Sequence, residues 1–183
     1  MQVVIFLADG FEEVEALTVA DFLRRGGLSA VLMSVTGNRA LKGCHGIKIE
    51  ADTLWDDEII KNAAAVVLPG GLPGAETLFK DERVRRVVRS FAKDKHVAAI
   101  CAAPAYLGEM GLLEGKIVTC YPGFEKESFK ALVVKDSAVK DGRIITGRGP
   151  GAATDFALLI LEELAGKACA GKVRREIVYG EDY

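Results

Sequence analysis

Three short runs of wholly apolar residues, each cut off by a turn of small residues, constrain this chain more than any other feature. They read VVIFLADG near the start, AVVLPGG in the middle and VAAICAA further on. A strand that is apolar at every position, not at alternate ones, must be covered on both faces. That points to a parallel sheet between two layers of helices. Between the runs lie helical patterns: residues 12–25, stopped by Gly26 and Gly27, then 75–79, 82–93, 102–111 and 154–164, the last stopped near Gly166. Further strands are expected at 30–35, 64–68, 117–119, 133–134, 138–140 and 143–146. Asp141-Gly142 turns the last two as a hairpin, and turns around Gly37-Asn38 and 43–46 join short strands. Strands alternating with helices give an α/β sandwich with a mainly parallel sheet. No repeat, linker or low-complexity tract interrupts it, so residues 1–183 read as one domain.

In such sheets, sites collect at the carboxyl ends of strands. Here that selects the chain after Ala8, after Leu68 and after Ile100. Cys101 follows the third strand directly and precedes a helix. Ala99, Ala102, Ala103 and Ala105 are small enough for strand and helix to approach closely, and Pro104 sits in the first helical turn. This is the pattern of a nucleophile elbow. A helix N-terminus would lower a thiol from about 8.5 towards about 3.5–7.5. A buried structural cysteine fits the same stretch. After the second strand, Gly70 and Gly71 can turn backbone N–H groups towards a neighbouring strand end, where they would hold an oxyanion. An ordinary glycine turn also fits, and no G-K-[ST] follows to make a phosphate loop. After the first strand, Glu15, Val19 and Phe22 share one helical stripe. Glu12 and Glu13 are expected to face water. Glu15, against an apolar wall, is expected to hold a raised pKa and to relay a proton; a surface glutamate in an acidic first turn also fits.

The composition excludes other classes. A net charge of −2 and the absence of a basic stripe argue against nucleic acid. No apolar run is long enough to span a membrane, and the N-terminus reads as a strand, not a signal peptide, so a cytoplasmic protein is expected. Cys44, Cys101, Cys120 and Cys169 form no C-x-x-C pair. The pattern offers neither a zinc site nor a disulfide framework, and no metal or cofactor is called for.

ADGFEEVEAL, LPGGLPGA, AAICAAPAYL, VTCYPGFE and DGRIITGRGPGAATDFAL occur in that order over nearly the whole chain. Together they resemble the ThiJ/PfpI superfamily, specifically its parkinsonism-associated deglycase branch. The resemblance implies a flavodoxin-like three-layer α/β sandwich, usually a homodimer. It implies Cys101 as the reactive cysteine and Glu15 as its paired glutamate, with Gly70, Gly71 and Ala102 as backbone oxyanion donors. Arg25 and His45 match a dimer-interface anion patch, with His45 where an arginine is common; an ordinary loop histidine also fits. Tyr121 stands near a position that often carries histidine, as an accessory hydrogen-bond donor. The peptidase-like branch has histidine directly after the cysteine. Here that residue is Ala102, which argues against a protease. Cys120 reads as space-filling, His96 as a surface residue, Arg148 as a loop anchor and Trp55 as packing.

The activity so implied is cysteine-dependent chemistry on small reactive carbonyls: glutathione-independent conversion of methylglyoxal to lactate, protein deglycation, or both. The alternative is a stress sensor or redox-regulated chaperone that works by oxidation of Cys101 without turnover.

Overall fold

The computed structural model describes residues 1–180. Residues 181–183, which the single-domain reading includes, lie outside the described residues. The strands are β1 (Gln2–Leu7), β2 (Ser29–Ser34), β3 (Ala40–Lys42), β4 (Lys48–Glu50), β5 (Thr53–Leu54), β6 (Ala63–Leu68), β7 (His96–Ile100), β8 (Ile117–Val118), β9 (Leu132–Val133), β10 (Ala138–Asp141) and β11 (Ile144–Gly147). The helices are α1 (Glu13–Arg25), α2 (Asp57–Asn62), α3 (Gly74–Lys80), α4 (Glu82–Asp94), α5 (Ala103–Glu109), α6 (Ala153–Ala165) and α7 (Lys167–Glu176).

Seven strands form one sheet in the order β10-β11-β7-β6-β1-β2-β5. Every pairing in it is parallel except the β10–β11 hairpin at one edge. From β1 the chain first steps outward to β2, then returns to place β6 on the other side of β1. The reversal opens a crevice at the carboxyl ends of the central strands. β1, β6 and β7 are neighbours there, so the three strand ends selected from the sequence are brought side by side.

The apolar runs are explained by two cores. Val3, Ile5 and Leu7 of β1 point to one side, into a cluster with Val19 and Leu23 of α1 and Phe156, Ile160 and Leu161 of α6. Val4 and Phe6 point to the other, into a cluster with Leu78, Val84, Val88 and Leu107 of α3, α4 and α5. Residues 3–7 are all fully buried. Full burial of one such side chain stabilises the fold by about 1.5–3 kcal/mol, so β1 ties both layers to one strand.

Helix ends follow local chemistry. Asp56 caps α2, accepting from the N–H groups of Glu58 and Ile59 at 2.9 and 3.1 Å. Asp81 ends α3 and caps α4, accepting from Arg83 N–H at 2.8 Å. The sequence assigned no element to α2, β5 or α7. α2 has six residues with Ile60 alone buried, and α7 buries Ala170 and Val173, so neither carries a readable apolar period. Trp55 packs as expected: its ring stacks on Phe6 at 5.5 Å and carries the Arg83 guanidinium at 4.7 Å. His96 corrects the surface reading. It opens β7, is largely buried, and its Nε2 lies 3.0 Å from Glu163 Oε1.

Candidate active site

Cys101 is the residue between β7 and α5, and its φ is +65°. That left-handed backbone costs a non-glycine residue about 1–2 kcal/mol. Hydrogen bonds hold it there from both sides. Cys101 N–H donates to Gly147 C=O at 3.0 Å, and Tyr121 N–H donates to Cys101 C=O at 2.9 Å. Such strain is sustained only where the surroundings over-determine it. The thiol is half-buried.

Glu15 is fully buried, with Val19 and Phe22 buried on the same stripe. Its Oε2 accepts from Gly70 N–H at 2.7 Å. Gly70 has to be glycine here. A Cβ at that position would stand 2.6 Å from Cys101 Cβ, 2.9 Å from Glu15 Oε2 and 3.1 Å from Cys101 Sγ. Thiol and carboxyl therefore share one face of the Gly70 backbone. The loop after β1 closes the site: Glu12 N–H donates to Gly70 C=O at 2.9 Å, and a Cβ on Gly71 (φ +81°) would strike Gly10 O and Phe11 C, each at 2.6 Å. Glu15 Oε1 is buried and has no hydrogen-bond partner among the described residues.

Burial pushes the Glu15 carboxyl up to about 7, against the pull of the Gly70 N–H. The thiol departs from expectation. Burial first and the Glu15 carboxylate second hold Cys101 well above its ordinary value, while the N–H groups of Ala102 and Gly71, facing the sulfur, pull it down. α5 has seven residues and its N-terminus does not outweigh those two effects. Two negative charges cannot share this enclosure, so the thiol keeps its proton through the neutral range while Glu15 titrates near 7, and the pair carries two protons below that pH and one above it. The sulfur ionises when that proton moves to the carboxyl.

The expected oxyanion donors divide. Gly71 and Ala102 aim their N–H groups at the sulfur. Gly70 does not: its N–H is held by Glu15. Gly70 thus positions the glutamate, a role hidden in the sequence because the two residues are far apart along the chain.

Within one chain, the two bases of the expected dimer-interface anion patch lie at opposite ends of α1. Arg25 ends α1 and its Nε lies 2.8 Å from Asp21 of the same helix. His45 lies at the opposite end of α1, where its Nδ1 faces Glu13 Oε2 at 3.2 Å and Glu12 Oε2 at 3.4 Å. At 1.5 Å per residue α1 separates the two bases by roughly 18 Å within the chain, and carboxylates beside His45 repel an anion. Glu12 and Glu13, expected to face water, are 7% and 3% exposed. Tyr121 contributes its backbone to the turn, while its ring lies against Gly149 and lines a cavity of about 320 Å³ with Pro122 and Arg148. Cys120 is buried, and burial pushes its thiol up to about 11, which suits a packing role. A cavity of about 780 Å³ lies between α6 and α7 and the segment before β10, away from Cys101.

Comparison with known proteins bears on this arrangement. Residues 1–163 match the DJ-1/PfpI family. Protein DJ-1 homolog B of Arabidopsis thaliana is 41% identical over all of this chain. The chain spans 43% and 45% of the lengths of the two Arabidopsis relatives it matches. Protein dj-1beta of Drosophila melanogaster is 37% identical, with 95% of each chain covered, and its crystal structure superimposes with a TM-score of 0.90 over 98% of both chains. A Pyrococcus abyssi protein named a deglycase is 31% identical over 82% of this chain and 92% of its own. The chain belongs to the DJ-1/PfpI family.

Proposed function

We propose that the chain is a cysteine-dependent enzyme of small reactive carbonyls, converting methylglyoxal to lactate without glutathione. The observation that carries this is the fully buried Glu15 carboxyl, hydrogen-bonded to the Cys101 thiol across the Gly70 backbone. A carboxyl in that state, with its pKa raised to about 7, can take a proton from the sulfur and return it to carbon. The Cys101 sulfur attacks the aldehyde carbon and forms a C–S bond, and the aldehyde oxygen takes the proton from Glu15 to give a hemithioacetal. Glu15 carboxylate then removes the hydrogen from that carbon as a proton, leaving an enediolate. Returning the proton to the neighbouring carbon gives a lactoyl thioester. Water cleaves the C–S bond, releasing lactate and the thiol. The oxygen carrying negative charge in these steps stands within reach of the Gly71 and Ala102 N–H groups, each worth about 10²–10³ in rate for such donors. Early carbonyl adducts on protein side chains are a second substrate class, in keeping with the deglycase name of the archaeal relative.

The test is lactate formed from methylglyoxal by purified protein. Many turnovers per chain are expected, abolished in Cys101→Ser and reduced about 10²–10⁴-fold in Glu15→Gln. One stoichiometric adduct, or full activity in Cys101→Ser, sinks the proposal. A second reading uses the same two N–H groups to hold sulfinate oxygens after Cys101 reduces two molecules of peroxide to water. It fails if Cys101 is oxidised no faster than Cys169. As the resemblance implies, the assembly is a homodimer, for which α1 offers Val14 and Leu17, exposed at i, i+3 spacing. Four free thiols suit a reducing, cytoplasmic setting. No helix among the described residues is long and apolar enough to cross a membrane.

A further inference from the structure

Outside the Cys101 site, one cluster gathers four donors of three kinds. Glu12 and Glu13 come from the start of α1, and Cys44 and His45 from the turn between β3 and β4. Their donor atoms all lie within 4.8 Å of one another. Cys44 Sγ is 3.1 Å from Glu12 Oε2, 3.6 Å from Glu13 Oε2 and 3.2 Å from His45 Nδ1. His45 Nδ1 is 3.4 Å from Glu12 Oε2 and 3.2 Å from Glu13 Oε2. A tetrahedral zinc ion with bonds of about 2.0–2.3 Å has donor-to-donor edges of about 3.3–3.8 Å. Five of the six separations fall on or just short of that range, and the sixth, between the two carboxylates, is bounded at 4.8 Å, so a small closing of the carboxylates would complete a zinc tetrahedron.

The carboxylates are not surface acids that happen to meet. The side chains of Glu12 and Glu13 are 9% and 4% exposed. Glu13 Oε1 accepts from the N–H groups of His45 and Ile47 at 3.0 and 3.2 Å, which leaves Oε2 turned to the cluster. This is the outer support that fixed metal ligands require. Gly43 leaves the room: a Cβ there would collide with the Glu13 carboxyl. Cys44 N–H donates to Phe11 C=O at 2.9 Å, which fixes the turn against the start of α1.

We infer that Glu12, Glu13, Cys44 and His45 form a zinc(II) site that ties the β3–β4 turn to the N-terminus of α1. Thiolate, imidazole and carboxylate together suit zinc over magnesium or calcium, which favour oxygen alone. Four protein ligands make the site closed, hence structural in kind. The sequence concealed it because the donors are two adjacent pairs 31 residues apart, with no C-x-x-C spacing.

Cobalt(II), which takes tetrahedral zinc sites and is coloured, is the probe. The full chain, stripped with chelator, is titrated with cobalt(II) and then with zinc(II). Intense tetrahedral bands and a sulfur-to-cobalt charge-transfer band are expected at one equivalent, displaced by one equivalent of zinc. Cys101→Ser should keep both, which separates this site from the reactive cysteine. Cys44→Ser should lose the charge-transfer band, and His45→Ala should weaken cobalt binding at least about tenfold. Both residues are exposed at the surface, so folding of these variants, checked by circular dichroism, is expected to persist. Zinc should raise the thermal midpoint of the unmutated protein and leave that of Cys44→Ser unmoved. Failure to bind one equivalent, a charge-transfer band that survives in Cys44→Ser, or one that disappears in Cys101→Ser overturns the inference.

Discussion

Glu15 is a carboxyl that the fold prefers uncharged. Its pKa is about 7 in the folded chain against 4.5 as the ordinary value, with burial the first cause. Between those values the folded chain binds more protons than the unfolded one. The stabilisation is therefore complete below about pH 4.5 and is lost as the pH rises through 7. The gap is worth about 3 kcal/mol. Glutamine keeps an oxygen for the Gly70 N–H and cannot ionise. The stability of the unmutated protein relative to Glu15→Gln should thus fall by about 3 kcal/mol from pH 4.5 to 8, while Glu15→Gln turns over about 10²–10⁴-fold more slowly. Urea denaturation at the two pH values measures this, and equal differences at both would place the ionised carboxylate in water. Cys101 shows the same conflict in its backbone. Cys101→Gly removes a left-handed cost of about 1–2 kcal/mol and adds about 0.5–1 kcal/mol of chain entropy. It should be as stable as Cys101→Ala or up to about 1.5 kcal/mol more so, with both inactive. A Cys101→Gly protein clearly weaker than Cys101→Ala would show that φ +65° carries no strain.

Helix α4 depends on one side chain at its start. Asp81 accepts from the backbone and the guanidinium of Arg83, and Arg83 in turn donates to Val35 C=O at 2.8 Å and covers Trp55. The ion pair with Arg83 holds the Asp81 carboxyl below the usual range. Asp81→Ala should cost about 1–2 kcal/mol in thermal or urea unfolding. Because Arg83 loses its anchor, the emission of Trp55 should also shift in the folded state; an unchanged spectrum would mean Arg83 holds its place without Asp81. Elements of this kind divide by how much of their logic is local. β1, β6 and β7 were legible because a strand buried on both faces is apolar at every position. α1 was legible from the Glu15, Val19, Phe22 stripe, whereas the meeting of Glu15 with Cys101 was implied by the family resemblance, strand-end placement alone leaving a surface glutamate open. The engagement of Gly70 by Glu15 was not, nor the burial of Glu12 and Glu13 under the β3–β4 turn. Each is a contact between segments tens of residues apart, and no spacing rule records it. The thiol was misjudged for a related reason: the helix start is visible in the sequence, whereas the enclosure that outweighs it is a property of three loops together.

At the scale of the molecule, the site has no independent existence. Glu15 follows β1, Gly70 and Gly71 follow β6, and Cys101 follows β7. These strands are held together by both cores at once, because alternate residues of β1 enter opposite clusters. Losing either layer of helices strips one face of β1, so neither layer should melt alone. Two probes test this. Trp55 lies against the cluster that holds Phe6, and Cys101 packs against the other. In rising urea, the change in Trp55 fluorescence and the exposure of Cys101 to an alkylating reagent should follow one curve. If the chain is a homodimer, that curve should move to higher urea as protein concentration rises, since association favours the folded form. Alkylation of Cys101 that runs ahead of the fluorescence change would mean the strand ends open while the sheet persists. The site would then be a local assembly of loops, and β1 would not be the strand on which the whole arrangement turns.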